Sequence, residues 1–140
     1  MSRLIGFTGT QKGATRTQLT TLASFLSGPA ELGARALHHG DCIGADSQAH
    51  LLALDGDIPV VLHPASTSLK RAWSKGATKI WPAKPPLDRN RDIVDATDVL
   101  IACPFQNHEI LRSGTWATVR YARKQGKQVI IVWPDGSLGS

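Results

Sequence analysis

Three short segments of this chain join glycine to hydroxyl or charged side chains in patterns that can hold an anion. The first is Arg112-Ser113-Gly114-Thr115-Trp116, between the apolar run 98–103 and the helix-like stretch 117–125. A strand that opens through small residues onto a helix N-terminus aims free backbone amides and a positive dipole end at one spot. Phosphate or carboxylate is attracted there. Ser113 can cap the helix, Gly114 allows close approach, and Thr115 adds a hydroxyl beside the amides. Trp116 either stacks on a base or packs against the 104–111 loop. The second segment, Gly9-Thr10-Gln11-Lys12-Gly13, offers phosphate donors in Thr10 and Lys12, and Gly9 lets a ligand approach the backbone. It fits neither the GxGxxG fingerprint nor the GK[ST] phosphate loop. The third runs from His38 to Asp46, where Asp41 can accept from ribose hydroxyls beside Gly44 and Asp46 either joins it or caps the following helix. Arg89, in Arg89-Asn90-Arg91, completes the anion site if it faces the same sheet end.

These segments converge only if the fold brings them together. Five short apolar runs, at 3–8, 35–39, 58–62, 98–103 and 128–133, suit strands buried on both faces. Helical patterns lie between them at 16–27, from Ala45 to about Asp55, at 87–96 and at 115–125. Thr15 with Gln18 has the form of a capping box, and Gly126 stops the last helix. Strand alternating with helix predicts an α/β domain of three layers: a Rossmann-like open sheet of about five mainly parallel strands, order 3-2-1-4-5, with helices on both faces. Ligands bind outside the carboxyl ends of such strands at the switch point, here between the first and fourth strands. Both glycine-bearing turns that follow these strands then meet. Residues 63–86 break the rhythm with four of the eight prolines and five basic residues. They read as a surface excursion with one helical turn at 68–75. Residues 1–135 are expected to form a single domain, and the tail 136–140 to fray.

Composition narrows the function classes. At 140 residues the chain fits one domain with a sizeable core. Cys42 and Cys103 are 61 residues apart with no second pair, which excludes a zinc ribbon or a CxxC redox motif. No His or Cys cluster has a metal site's ligand count, so no metal is expected. No run reaches about 18 apolar residues and the N-terminal run is short for a signal peptide, so a cytoplasmic protein without a membrane partner is expected. The net charge of +5 favours nucleotides or nucleic acid. The chain lacks a spaced aromatic platform for single strands, so nucleic acid is the less favoured partner.

The stretches GDCIGADSQAHLLAL and DRNRDIVDATDVLIACP…SGTWATVRYARKQGKQVIIV together resemble the SLOG superfamily of Rossmann-like domains, which includes the Lonely Guy phosphoribohydrolases and the fold of DNA-processing protein A. The resemblance covers nearly the whole chain, least well at 63–86. It implies a nucleotide or nucleotide-derived ligand at the glycine-rich strand ends, with no further cofactor required, and a homo-oligomer paired through helices. In Lonely Guy enzymes an arginine before the fourth strand and a glutamate in PGGxGTxxE split the N-glycosidic bond of nucleoside monophosphates. Arg89 matches the arginine and Gly114-Thr115 the Gly-Thr, but Thr118 stands at the glutamate position. A hydroxyl cannot replace a carboxylate that stabilises an oxocarbenium-like transition state. Catalysis would then need Glu109 or His108 from the 104–113 loop. Nucleotide binding is therefore the expected function, with N-glycosidic hydrolysis and single-stranded DNA binding as alternatives.

Overall fold

The computed structural model describes residues 3–26 and 33–140. Its elements in chain order are β1 (Arg3–Gly9), α1 (Arg16–Leu26), β2 (Ala34–His39), α2 (Ala45–Asp55), β3 (Val60–Leu62), β4 (Lys79–Ile80), α3 (Pro86–Asp95), β5 (Val99–Cys103), α4 (Gly114–Lys124), β6 (Gln128–Val132) and β7 (Leu138–Gly139). The expected last residue of α1, at 27, lies outside the described residues.

All five expected strands are present and lie in the expected order at the centre of the sheet. One short strand is added at each edge, so the sheet has seven strands in the order β4-β3-β2-β1-β5-β6-β7. The central pairings are parallel, and β7 alone runs antiparallel, on β6. The tail expected to fray instead folds back as β7, because Asp135 takes the Ser137 amide and hydroxyl and closes a turn that lays Leu138 against Val132.

Alternation along β5 shows why its run is continuously apolar. Val99, Ile101 and Cys103 enter a core with Leu22, Phe25 and Leu26 of α1 and Ala45, Ala49 and Ala53 of α2. Leu100 and Ala102 enter the opposite core, with Val94 of α3 and Trp116, Val119 and Ala122 of α4. A strand covered on both faces has no polar side. The capping box forms as read: Thr15 N donates to Gln18 Oε1 at 2.9 Å and Gln18 N to Thr15 Oγ1 at 3.1 Å. Gln18 is itself buried, and its Nε2 donates to the Pro104 and Val132 carbonyls, fastening the exits of β5 and β6 to α1.

At 68–75 the 63–86 segment holds no helix, only a single turn closed by Arg71 N donating to Ser68 O at 3.1 Å. An isolated antiparallel bridge joins Cys42 to Arg71, Ile43 N donates to Lys70 O, and Ala72 N donates to Asp41 O. These bonds lay the segment along the loop after β2, where it supplies a wall rather than a loose excursion. Among the described residues no helix is long and apolar enough to cross a membrane.

Candidate functional site

The carboxyl ends of β1 and β5 are tied by Thr10 N donating to Cys103 O at 3.0 Å, and Ala45 N donates to Thr10 O at 2.9 Å. The first bond fixes the switch point, and the second draws the start of α2 against the first glycine turn. Gly44 makes this possible with φ of 88° where the chain enters α2. Above the switch point lies a cleft of about 560 Å³. That lies within the range of roughly 300–1,000 Å³ usual for small-molecule sites.

Gly9, Thr10, Lys12, Asp46, Arg89, Ser113, Gly114 and Thr115 all line this cleft, as topology predicted. On one side is the N-terminus of α4, where Ser113 is the N-cap and its Oγ accepts from Trp116 N at 3.2 Å. The amides of Gly114 and Thr115 fall in the first turn and have no intrahelical acceptor. A Cβ at Gly114 would meet nothing within 4 Å, so the space over this turn is open. Opposite it, Arg89 is 7 % exposed. Its Nη1 donates to the carbonyls of Gly40 (2.5 Å) and His63 (3.1 Å), while Nη2 lies 3.6 Å from Cys42 Sγ. Gly40 is needed there because any Cβ would collide with the guanidinium. Among the described residues Nε of Arg89 has no partner and no carboxylate lies within ion-pair distance of the side chain.

Lys12, Lys70, Arg89 and Arg112 face the cleft against one carboxylate, Asp46. Lys12 Nζ also sits 4.2 Å from the centre of the Phe105 ring, which narrows the mouth. Asp46 does not cap α2; its Oδ2 accepts from Gly40 N and Cys42 N, both at 3.2 Å. Burial raises its pKa from 3.8 to about 6, only partly countered by those amides and by Arg89. A raised carboxyl contributes stability that is complete below its unfolded pKa and lost as pH rises through about 6. Asp46→Asn should therefore increase the unfolding free energy by about 2 kcal/mol at pH 8, with a smaller gain by pH 5. Urea titrations at the two pH values check this, and an equal change at both would contradict it.

Five expected site residues lie elsewhere. Asp41 is fully buried outside the cleft, where its carboxylate binds Arg71 Nε at 2.8 Å and Ser74 N at 2.9 Å. Burial pushes this carboxyl up, but those donors more than offset it and hold it below its usual pKa. It anchors the 63–86 wall and is not free for ribose. Gly44 does not line the cleft; it serves the tight entry to α2. Trp116 is 1 % exposed, donates to Gln106 Oε1 at 3.3 Å and packs on Trp133 at 5.7 Å between ring centres. Packing against the loop is the reading that holds, since no face of the ring is left for a base. Glu109 is a surface residue held by Arg120 (3.0 Å) and Arg123 (2.9 Å) of α4, which keep its carboxyl below the usual range. His108 is exposed and paired with Asn107, outside the cleft. Thr118 returns its hydroxyl to Gly114 O at 2.8 Å. Lys70, Cys42 and Phe105 entered no site expectation; the basic concentration in 63–86 was the one signal for Lys70.

Four of the histidines form two buried pairs behind Arg89. Asp41 N donates to His39 Nδ1 at 2.9 Å, so the His39 proton sits on Nε2 and points to His50 Nδ1 at 2.9 Å. His50 Nε2 then donates to Lys75 O at 2.6 Å. His50 thus joins α2 to His39 of β2 and to the Lys75 carbonyl. His38 Nδ1 and His63 Nε2 lie 2.8 Å apart, and the His63 ring stacks on Trp81 at 4.4 Å between centres.

The molybdenum cofactor binding protein of Rippkaea orientalis is similar over 95 % of this chain and 77 % of its own, with TM-score 0.72 and 23 % identity. The Moco carrier protein of Chlamydomonas reinhardtii matches over 94 % and 76 %, with TM-score 0.65 and 21 % identity. DNA processing protein A of Streptococcus pneumoniae matches over 91 % of this chain, with TM-score 0.67 and 17 % identity; the chain spans 49 % of that protein. The chain shares the mainly parallel α/β fold of these proteins. No protein-family model and no curated protein matches it. At these identities the likeness is one of fold, and the cleft residues described above are this chain's own.

Proposed function

We propose that the cleft binds a phosphorylated small molecule of nucleotide type. The observation that carries this reading is Arg89: a buried guanidinium with no carboxylate within ion-pair distance among the described residues, lining a cleft that the N-terminus of α4 also lines. Burying a charge is costly, Asp46 offsets it only from beyond ion-pair distance, and an anionic ligand offsets it further. Four cations against one carboxylate suit a dianionic group, with Arg89 contributing charge while its Nη1 stays on the Gly40 and His63 carbonyls. The similar proteins named for binding or carrying the molybdenum cofactor support a small-molecule occupant. Hydrolysis of an N-glycosidic bond is less well supported, because Glu109 and Thr118 supply no carboxylate to the cleft and Asp46 is occupied by two amides.

Isothermal titration with a panel of nucleoside monophosphates tests the proposal, with micromolar to low millimolar affinity expected for at least one. A panel without binding at low salt overturns it. Gly114→Leu gives the sharper check, since the new side chain enters open space beside the α4 amides without strain. Its melting temperature should stay within about 2 °C of the parent, while affinity falls tenfold or more; unchanged affinity would remove this turn from the site.

A further inference from the structure

A second, smaller cavity of about 130 Å³ adjoins the main cleft. Gln11, Gly40, Cys42, Lys70 and Arg89 line both, so the two spaces share a wall and Arg89 stands at their junction. The far side is built by the 63–86 segment through Ala65, Thr67 and Arg71, together with Asp41 and Pro86. This volume falls well below the roughly 300 Å³ that begins the usual range for whole ligands, so it suits one substituent of a larger molecule.

The chemistry of that substituent follows from the charges. Asp41 is fully buried and paired with Arg71 at 2.8 Å, and Lys70 and Arg89, neither of them in an ion pair among the described residues, line the same cavity as Thr67. The wall is rigid. Arg71 lies 3.8 Å over the Trp73 ring, the Asp41 carboxylate takes Ser74 N, and backbone bonds run from Ile43 to Lys70 and from Ala72 to Asp41. A preformed cationic recess beside a phosphate site is suited to a second anion on the same ligand.

We infer that the ligand is two-headed: a nucleotide carrying a second phosphoryl group, as in a nucleoside diphosphate or its derivatives, with that group seated in the recess formed by residues 65–71. This rests on the proposed function, since the first phosphoryl group must lie in the main cleft. The recess belongs to a stretch that the sequence resemblance covers least, so this specificity is a property of this chain.

Nucleoside monophosphates and diphosphates of each common base are titrated into the parent chain and into Ala65→Leu and Thr67→Glu. Both substitutions act on the small cavity and leave the lining of the main cleft intact. Thr67 is exposed, so its variant keeps the test open if the larger side chain at 65 disturbs folding. The diphosphate is expected to bind the parent at least tenfold more tightly than the matching monophosphate. Each variant should cut that preference to below about twofold while monophosphate affinity stays within twofold. Equal binding of both nucleotides by the parent overturns the inference and leaves the proposed function standing. A preference that survives both substitutions places the second group elsewhere and also overturns it. Failure of every nucleotide to bind overturns the proposed function and this inference together.

Discussion

Replacing Arg89 by methionine should weaken binding of a phosphorylated ligand by at least about 30-fold, equivalent to about 2 kcal/mol, with the unliganded chain remaining folded. Two opposing effects set the result for the free protein. The Gly40 and His63 carbonyls lose a charged donor, which costs about 1.5–3 kcal/mol each. Removal of a buried guanidinium without a carboxylate partner returns several kcal/mol of desolvation. These nearly cancel, so the change in unliganded stability should stay within about 2 kcal/mol. Binding has no such compensation, because methionine offers nothing to a phosphate oxygen. Arg89→Lys should recover part of the affinity through charge, and less than all of it because an ammonium does not reproduce the paired bonds to the Gly40 and His63 carbonyls that seat the guanidinium. Calorimetric titration paired with urea unfolding of each variant separates the two effects. Parent-like affinity in Arg89→Met would show that the Arg89 charge plays no part in binding.

The difference between what could be read from the sequence and what could not has a physical pattern. Features set by neighbours in sequence were legible. The run Val99-Leu100-Ile101-Ala102-Cys103 is apolar throughout because both its faces are covered, and Thr15 finds Gln18 three residues away. Topology then brought the turns of Thr10 and Gly114 to one switch point, while the orientation of Arg89, left open by its place before the fourth strand, is set by the Gly40 and His63 carbonyls. Features set by distant partners were not legible. Asp41 and Asp46 are both carboxylates beside a glycine turn, and their roles divide because Arg71, 30 residues later, claims the first. Glu109 could not be told from a catalytic carboxylate until α4 presented Arg120 and Arg123 to it. Trp116 has a polar tip and an apolar body, and only its neighbours Gln106 and Trp133 decide that it braces the loop. The strands β4 and β7 are two residues each, too short for any period to mark them.

The free chain should lose most of its stability between pH 6.5 and pH 4, through histidines that the ligand does not need to touch. His39, His63 and His38 are buried, with 0 %, 1 % and 7 % exposure. Burial foremost, then neighbouring cations and each other's rings, lowers their pKa values from 6.5 to about 3 for His39 and His63 and about 4 for His38. A base with a depressed folded pKa contributes stability that is complete above its unfolded pKa and lost as pH falls toward its folded one. The window is therefore 6.5 downward to 4 and 3. Asp46 works in the opposite sense, taking up a proton in the folded state near pH 6 while its unfolded counterpart waits until 3.8. Between pH 6 and 4 three histidine protons favour the unfolded chain and one aspartate proton favours the folded one. A net two protons correspond to about 3 kcal/mol per pH unit. Over two units that is comparable with the whole stability of an ordinary domain, about 5–15 kcal/mol, so acid unfolding should centre near pH 4–5. Urea-unfolding free energies at pH 7, 6, 5 and 4.5 measure the slope. Asp46→Asn should steepen it by about one proton, and His63→Leu should flatten it by about one, since His63 leaves its Nδ1 without a partner among the described residues and gives up one ring contact to His38. A flat profile down to pH 4.5 would mean that these histidines are protonated in the folded chain, which the His39–His50 contact does not accommodate, because His39 Nδ1 accepts from Asp41 N and the Nε2 proton already points at His50 Nδ1.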